Sequence, residues 1–516
     1  MAENPRDEAL GWWQRQVETE HYVGGRDGLP SAAAERYLLG QKLLVEPAGG
    51  WGWVVTSPDQ QDAALRQNYW RLVGLLQNIY PPAAVERVSA IRLHMGEASI
   101  PPVLHVIQAS NSSERRLEIA PGLVVMLRSA KEGAGIPAVD TVDVGGVAVR
   151  VVAQARLLTS LTVTDIRDHR DLVLTWLRSL VLAQRDLDAV YEADPRPVLL
   201  ARLGHLAQGV GNRRLAEQIA QVASAHQRSR ISRTLTGVNR DLVIPAYIVS
   251  QPSLREPWLD RYRARMARAA DVARQVVAEQ GLDLSPRPKA RVLAQAREAK
   301  LDDTYHSTTI EGYRVTREQV RTVLQGMPLD SADRGEMERL MALKGYSQAF
   351  ERTLSMIADA EPGGLRLSEA DVLDLHEELW GPSVDAELIT AAQLRGWRKE
   401  PVYIRGSDYV PPAPGKVPQL MRVWADTLTG LEGDAVSRAA VAHWGLVHVH
   451  PFMDGNGRLS RLLMNLVLCA AGLPWTIIRA EERRRYFSAL ETAHVREDYA
   501  PFARFIAESV GRAIQG

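Results

Sequence analysis

The rhythm of apolar and polar positions divides this 516-residue chain into four stretches. Over residues 1–75 a helical pattern from Ala32 to Leu39 runs into two short apolar arms, Gln41–Pro47 and Trp51–Val55, either side of Ala48-Gly49-Gly50. A helix followed by two strands about a glycine-rich turn predicts a small winged-helix-like domain. Over 76–165 the β-rich runs Val103–Ile107, Leu123–Leu127 and Val147–Val152 are bounded by Pro, Gly, Asn or Asp and predict an α+β domain. Over 166–286 the period becomes helical: Leu172-Val173-Leu174 with Leu177 and Leu180, then Val198-Leu199-Leu200 with Leu203 and Leu206. This is a helical linker region, closed by a charged helix from Trp258. Its arginines Arg261, Arg263, Arg265 and Arg268 read as a solvated face.

The last stretch, 287–516, carries the chemistry. The apolar run Leu462–Leu468 is too long for a typical strand and stops at Gly472, with Pro474 beyond, so it predicts a buried helix. Directly ahead stand Gly455-Asn456-Gly457. Glycines let the backbone approach a ligand closely, and a helix start presents unpaired N–H groups and a positive dipole end. That is an anion site. Arg458 and Arg461, three apart, share one face of the first turn, and guanidinium forks suit phosphate oxygens. Asp454 would repel a phosphate by itself, but fits if Mg²⁺ bridges the two. His450, at the end of an apolar helix spanning Ser437 to Val449, is placed to take a proton near neutral pH. His443 and His448 on that helix read as packing or surface residues.

Composition narrows the partners. Lys and Arg number 62 and Asp and Glu also 62, so there is no bulk attraction to nucleic acid or an anionic membrane. Residues 1–75 hold 7 Lys and Arg against 10 Asp and Glu, whereas a duplex-binding module presents a basic face. An interaction or packing domain therefore stands beside DNA binding as the reading of that stretch. The single cysteine, Cys469, lies in the apolar helix and reads as core. No apolar run of about 18 residues occurs, and the charged N-terminus has no signal-like segment, which predicts a cytoplasmic protein with no membrane association.

From His450 to Arg461 the chain reads H-P-F-M-D-G-N-G-R-L-S-R. This resembles the signature of the Fic family, H-x-F-x-[D/E]-G-N-G-R-x-x-R, at every fixed position. The resemblance implies a multidomain protein with a mainly helical Fic domain over 287–516, preceded by the helical linker and the α+β region. It implies transfer of AMP from ATP to a Ser, Thr or Tyr hydroxyl of a target protein. His450 would be the base, Asp454 the Mg²⁺ ligand, and Gly455, Asn456, Gly457, Arg458 and Arg461 the phosphate site. Doc-like members, which phosphorylate, carry a lysine where this chain has Gly457. AMP removal at the same site is a further alternative.

Three other segments share in the resemblance. Ser307-Thr308-Thr309-Ile310-Glu311-Gly312 resembles the family's inhibitory helix, [S/T]-x-x-x-E-[G/N], placed near 303–312. A short helix would set Ser307 and Glu311 on one face, with Glu311 paired to Arg461 so that ATP binds unproductively. Val402–Pro412 reads as a β-hairpin about Gly406-Ser407-Asp408 and resembles the family's flap, with Tyr403, Ile404, Tyr409 and Val410 docking the target as an added strand. Tyr486 stands where family members place aromatics near the adenine.

The N-terminal order of winged helix, Ser89-Ala90 near Gly96, strands and Arg156-Leu157-Leu158 resembles AbiEi-type antitoxins, but Ala155 and Ser160 depart from that pattern. It carries the expectation of a DNA-binding regulator or a toxin–antitoxin fusion. A homodimer is a further expectation.

Overall fold

A computed structural model describes residues 5–18, 23–24, 28–47, 52–80, 82–109, 114–130, 138–193, 196–222, 244–249, 254, 256–327, 333–361, 365–394 and 396–515. The chain divides into two compact units. One comprises Met1–Arg261 with Tyr403–Val410, the other Tyr262–Val402 with Pro411–Gly516.

The first unit opens with helices α1 (Pro5–Glu18) and α2 (Ala32–Gly40) on a small antiparallel sheet of β1 (Val23–Gly24), β2 (Leu44–Val45) and β3 (Trp53–Val55), ordered β1-β3-β2. Ser31 caps α2 by accepting from the Ala34 amide, and Ala34, Leu38, Trp53 and Val55 form the small core beneath. A second, six-stranded sheet follows: β4 (Ala83–Val85), β5 (Val103–Gln108), β6 (Arg115–Ala120), β7 (Leu123–Ser129), β8 (Val139–Val144) and β9 (Val147–Val152), in the order β6-β7-β5-β4-β9-β8. The three strands legible in the sequence are β5, β7 and β9, which lie inside the sheet. The edges, β6 and β8, carry Arg115, Arg116, Glu118, Asp140 and Asp143. Charge blunts an edge against stray pairing and also hides it from a hydrophobic pattern.

Tyr403–Val410 corrects an expectation. The hairpin read at Val402–Pro412 is not formed: the segment holds a turn at Arg405-Gly406, with Gly406 at φ 76°, and no strand. Pro401, Pro411 and Pro412 cannot donate to a ladder. The remaining polar groups bond elsewhere: the Asp408 carboxylate accepts from Arg66, and its carbonyl accepts from the Ile100 amide at 2.7 Å. Tyr409 and Val410 are 3% and 8% exposed, so two of the four residues expected to dock a target are packed inward, whereas Tyr403 is 45% exposed and Ile404 half-buried.

Helices α3 (Gln61–Gln67), α4 (Tyr69–Ile79), α5 (Arg87–His94), α6 (Gln154–Ser160), α7 (Val163–Asp168), α8 (Arg170–Ser179), α9 (Gln184–Ala193) and α10 (Pro197–Gly209) also belong to the first unit. The second unit is helical. Helix α11 (Pro257–Gln280) does not have the solvated arginine face that its sequence predicts. Arg261 and Arg265 are each 2% exposed. In the first unit Arg261 pairs with Glu97 at 2.7 Å. In the second, Arg265 donates to the carbonyls of Ala493 and His494 and to the Tyr499 hydroxyl. Guanidinium donors facing carbonyls left bare at a helix end make burial tolerable.

The helices that frame the site are α12 (Lys289–Ile310), α13 (Arg317–Leu324), α14 (Arg334–Asp359), α15 (Glu369–Asp385), α16 (Val417–Gly430), α17 (Ala435–Val449), α18 (Asn456–Ala470), α19 (Arg483–Val495) and α20 (Ala500–Gln515). Helix α18 is buried on all sides from Leu459 to Cys469, and α17 and α14 pack against it. It ends as its sequence indicates, at Gly472 in the left-handed region (φ 84°). Among the described residues no helix is long and apolar enough to cross a membrane.

Candidate active site

The site is built where α17 hands the chain to α18. Asp434 caps α17 through the Ser437 amide at 2.8 Å, and the helix ends at His450 in the left-handed conformation, φ 50°. A non-glycine residue held there is strained and must be fixed by its surroundings. The His450 amide donates to Leu446 at 2.8 Å, and its carbonyl accepts from Arg398 Nε at 2.7 Å. On the ring, Nδ1 lies 3.3 Å from the Val447 carbonyl. A carbonyl can only accept, so Nδ1 carries the hydrogen and Nε2 keeps its lone pair. Burial lowers the His450 pKa to about 4; the Val447 bond opposes this, Arg398 adds to it and Glu311 opposes it. His450 is therefore neutral at pH 7 and able to accept a proton.

The loop between the helices is braced from several sides. The Asn456 side chain accepts from the Phe452 amide at 3.0 Å and donates to the Phe452 carbonyl at 2.8 Å. Its side chain thus closes the loop, and only its backbone N–H remains for an anion. His376 from α15 stacks on Phe452 at 3.6 Å and reaches the Asp454 carbonyl at 3.3 Å. Gly455, at φ 90°, starts α18 with no side-chain cap, so the first-turn N–H groups have no carbonyl within the helix to bond. Asp454 Oδ1 accepts from the Gly455 amide and lies 3.8 Å from Arg458.

Both arginines of the motif are buried, Arg458 at 0% and Arg461 at 2% exposure. Arg461 Nε donates to Ser307 Oγ at 2.8 Å, and Nη2 donates to the Ser307 carbonyl at 2.9 Å and to Glu311 at 2.6 Å. Burial works against the charge on Arg461, but Glu311 and the surrounding groups leave its pKa raised. Arg461 Nη1 and all three guanidinium nitrogens of Arg458 have no hydrogen-bond partner among the described residues. Buried donors without partners mark a place for an acceptor.

Ser307 and Glu311 do share a face, but not in a short helix. Ser307 lies in the last turn of α12, which runs for 22 residues, and Glu311 is its C-cap, followed by Gly312 at φ 98°. A Cβ on Gly457 would lie 2.3 Å from Glu311 Oε1 and 3.3 Å from Arg461 Nη1. The carboxylate of Glu311 therefore occupies the space that a glycine at 457 leaves open.

Tyr486 is corrected. It is 1% exposed, with its hydroxyl 2.8 Å from His443 Nε2, so it is part of the core behind α18 and presents no ring to a nucleobase. His443, read as packing or surface, is the buried partner in that bond, with its pKa lowered to about 3 by burial and then by Arg461. His448 is also buried and stacks on Tyr262.

Residues 366–468 match the model of the Fic/DOC family. The chain carries a Fic domain. Over 222 residues it is 34% identical to the protein adenylyltransferase Fic of Aedes aegypti, covering 42% of this chain and 42% of that one. Over 271 residues it is 32% identical to the protein of the same name from Drosophila grimshawi, covering 51% and 53%. The chain thus spans about half the length of the curated relatives it matches. Among solved structures, Fic-1 from C. elegans is 23% identical over 65% of this chain and 92% of that one, with a TM-score of 0.38.

The Fic domain also uses residues that the motif does not contain. Arg398 ties the His450 carbonyl to those of Glu400 and Pro412, so one side chain fixes both the histidine and the ends of the Tyr403–Val410 excursion. His376 supports the loop, and Trp380 and Tyr313 contact Arg458. No local pattern flags any of them, since each reaches the site from a distant segment.

Proposed function

We propose that this protein transfers AMP from ATP to a hydroxyl of a target protein, and that Glu311 restrains it in cis. The observation that carries the reading is a carboxylate on an anion site: Glu311 lies on buried Arg461 over Gly457, beside a neutral histidine. What a carboxylate occupies there, phosphate oxygens can occupy once it leaves.

In this reading the target hydroxyl attacks the α-phosphorus of ATP. The bond from the α-phosphorus to the bridging oxygen breaks, pyrophosphate departs with the electron pair, and the hydroxyl proton passes to His450 Nε2. The N–H groups of the first turn of α18, with Arg458 and Arg461, hold the phosphate oxygens in line. Gly457 leaves room for the β-phosphate where a Doc-like lysine would stand. Catalysis rests on positioning and charge, with no covalent intermediate on the enzyme.

Mg²⁺ fits the residues present. Among the described residues no group of three or more His, Cys, Asp or Glu is gathered, and Mg²⁺ commonly takes one or two carboxylates with substrate phosphates and water. Asp454, with its side chain 58% exposed, would be that carboxylate, and the ion would add positive charge at the α- and β-phosphates.

The test compares wild type, Glu311→Gly and His450→Ala with ATP labelled at the α- or the γ-phosphate, following label on the protein and on host proteins. The reading expects α-label from Glu311→Gly and none from His450→Ala. Label from the γ-position would mean kinase chemistry, and no label from either would point to AMP removal or away from transfer.

A further inference from the structure

Three buried arginines hold this site, and two are fixed by hydrogen bonds. Arg461 is held by Ser307 and Glu311, and Arg398 by the carbonyls of His450, Glu400 and Pro412. Arg458 is held differently. Its guanidinium carbon lies 4.9 Å from the centroid of the Trp380 ring and 5.3 Å from that of Tyr313, and Nη2 is 3.8 Å from the Asp454 carboxylate, an ion-pair distance at which none of its nitrogens has a hydrogen-bond partner among the described residues. A ring face attracts a guanidinium and orients its plane without occupying its N–H donors. The arrangement fixes the arginine and keeps its hydrogen bonds for something else.

Trp380 does a second thing. A Cβ on Gly455 would lie 2.9 Å from Trp380 Nε1 and 2.9 Å from Leu379 Cδ2, so the indole also backs the glycine that starts the anion loop. Trp380 sits within α15, whereas Tyr313 follows Gly312, two residues beyond Glu311.

We propose that Trp380 and Tyr313 are positioning residues of the nucleotide site, holding Arg458 by its ring contacts so that its donors meet the terminal phosphates. The assignment rests on the reading of Arg458 as a phosphate ligand. Trp380 is the larger contributor, because it supports both the arginine and the loop. On that reading, in which Arg458 holds the phosphates beyond the α, the chemistry recognised is that of a nucleoside di- or triphosphate.

The experiment uses the full chain with Glu311→Gly, so that the carboxylate does not compete. ADP and AMP affinities are measured by calorimetry with Mg²⁺ for that chain and for its Trp380→Leu, Trp380→Phe and Tyr313→Ala derivatives. Trp380→Leu is expected to weaken ADP about thirtyfold, the size of a desolvated cation–π contact, and to leave AMP within about twofold. Trp380→Phe, which keeps a ring, is expected to restore most of the loss, which excludes general unfolding as its cause. Tyr313→Ala is expected to weaken ADP severalfold.

The assignment is overturned if Trp380→Leu leaves ADP unchanged, weakens ADP and AMP alike, or is not rescued by Phe. Tighter ADP binding by Tyr313→Ala would make that ring a cover over Arg458 and would equally overturn it. If the Glu311→Gly chain binds no ADP, the nucleotide reading fails first and takes the inference with it. Nucleotide binding indifferent to Trp380 sinks the inference alone.

Discussion

Glu311 and Arg461 meet at 2.6 Å, and the carboxylate lies where any side chain on residue 457 would have to be. Arg461 is also held by Ser307, through both Oγ and the backbone carbonyl. The pair is therefore one part of a three-point contact, and its parts can be removed separately.

Ser307→Ala deletes the Oγ contact but leaves the Ser307 carbonyl and Glu311 in place. A hydrogen bond to a charged group contributes about 1.5–3 kcal/mol when removed in full, whereas here two partners remain. Ser307→Ala is expected to raise α-label transfer about threefold to tenfold, and Glu311→Gly about ten- to a hundredfold. Labelling rates of the two variants check this. If Ser307→Ala equals Glu311→Gly, the serine and not the carboxylate holds the restraint.

Gly457→Ala tests the shared space. The added Cβ would stand 2.3 Å from Glu311 Oε1, so either the carboxylate or the loop must shift. Overpacking of this kind costs about 1–3 kcal/mol. In the Glu311→Gly background the obstructing atoms are gone, and the same substitution should cost much less. Urea unfolding of the four chains forms a double-mutant cycle. Equal losses in both backgrounds would show that the alanine meets something other than Glu311.

In the proposed mechanism His450 would set the acid limb of activity. Its pKa is lowered to about 4, chiefly by burial, so the ring remains neutral and competent as a base well below its ordinary range. Protonation removes the lone pair on Nε2, so activity is lost as pH falls through that value. The Glu311→Gly chain should keep a nearly constant rate from pH 8 to about 5 and decline below it. An inflection at the ordinary histidine value near 6.5 would mean that the ring is solvated when the enzyme works, or that another group limits the rate.

The legibility of this molecule followed how local each feature is. The loop Asp454–Gly457 at the start of a buried helix and the end of α18 could be read because each depends on neighbours within a turn or two, whereas the groups that hold Arg458 and Arg461 come from distant segments. The strands β5, β7 and β9 were legible because they are apolar on both faces; the charged edges β6 and β8 were not. The supposed hairpin at Val402–Pro412 has strand-like residues, but its backbone bonds to Ile100 and its side chains to Arg66, partners hundreds of residues away. Tyr486 stood at a suggestive sequence position, but its ring is in the core. Trp380, Tyr313, His376 and Arg398 act on the site from afar, and no spacing rule reaches them.

Arg265 allows the same contrast between local pattern and distant partners to be measured. Within a tract of arginines that reads as a wet helix face, it is 2% exposed and donates to Ala493 O at 3.2 Å, His494 O at 2.8 Å and Tyr499 Oη at 3.1 Å. Arg265→Ala would leave two carbonyls at the end of α19 and one hydroxyl without that donor. Unsatisfied buried groups cost about 1–3 kcal/mol each, with partial relief if water enters. A loss of about 3 kcal/mol is therefore expected, seen as a lower unfolding temperature for the helical unit. Arg263→Ala, two residues away and half-buried, should cost less than Arg265→Ala. Thermal unfolding of the two variants decides it: similar small shifts would mean that the tract is the solvated face its sequence suggests and that Arg265 contributes nothing to holding α19 in place.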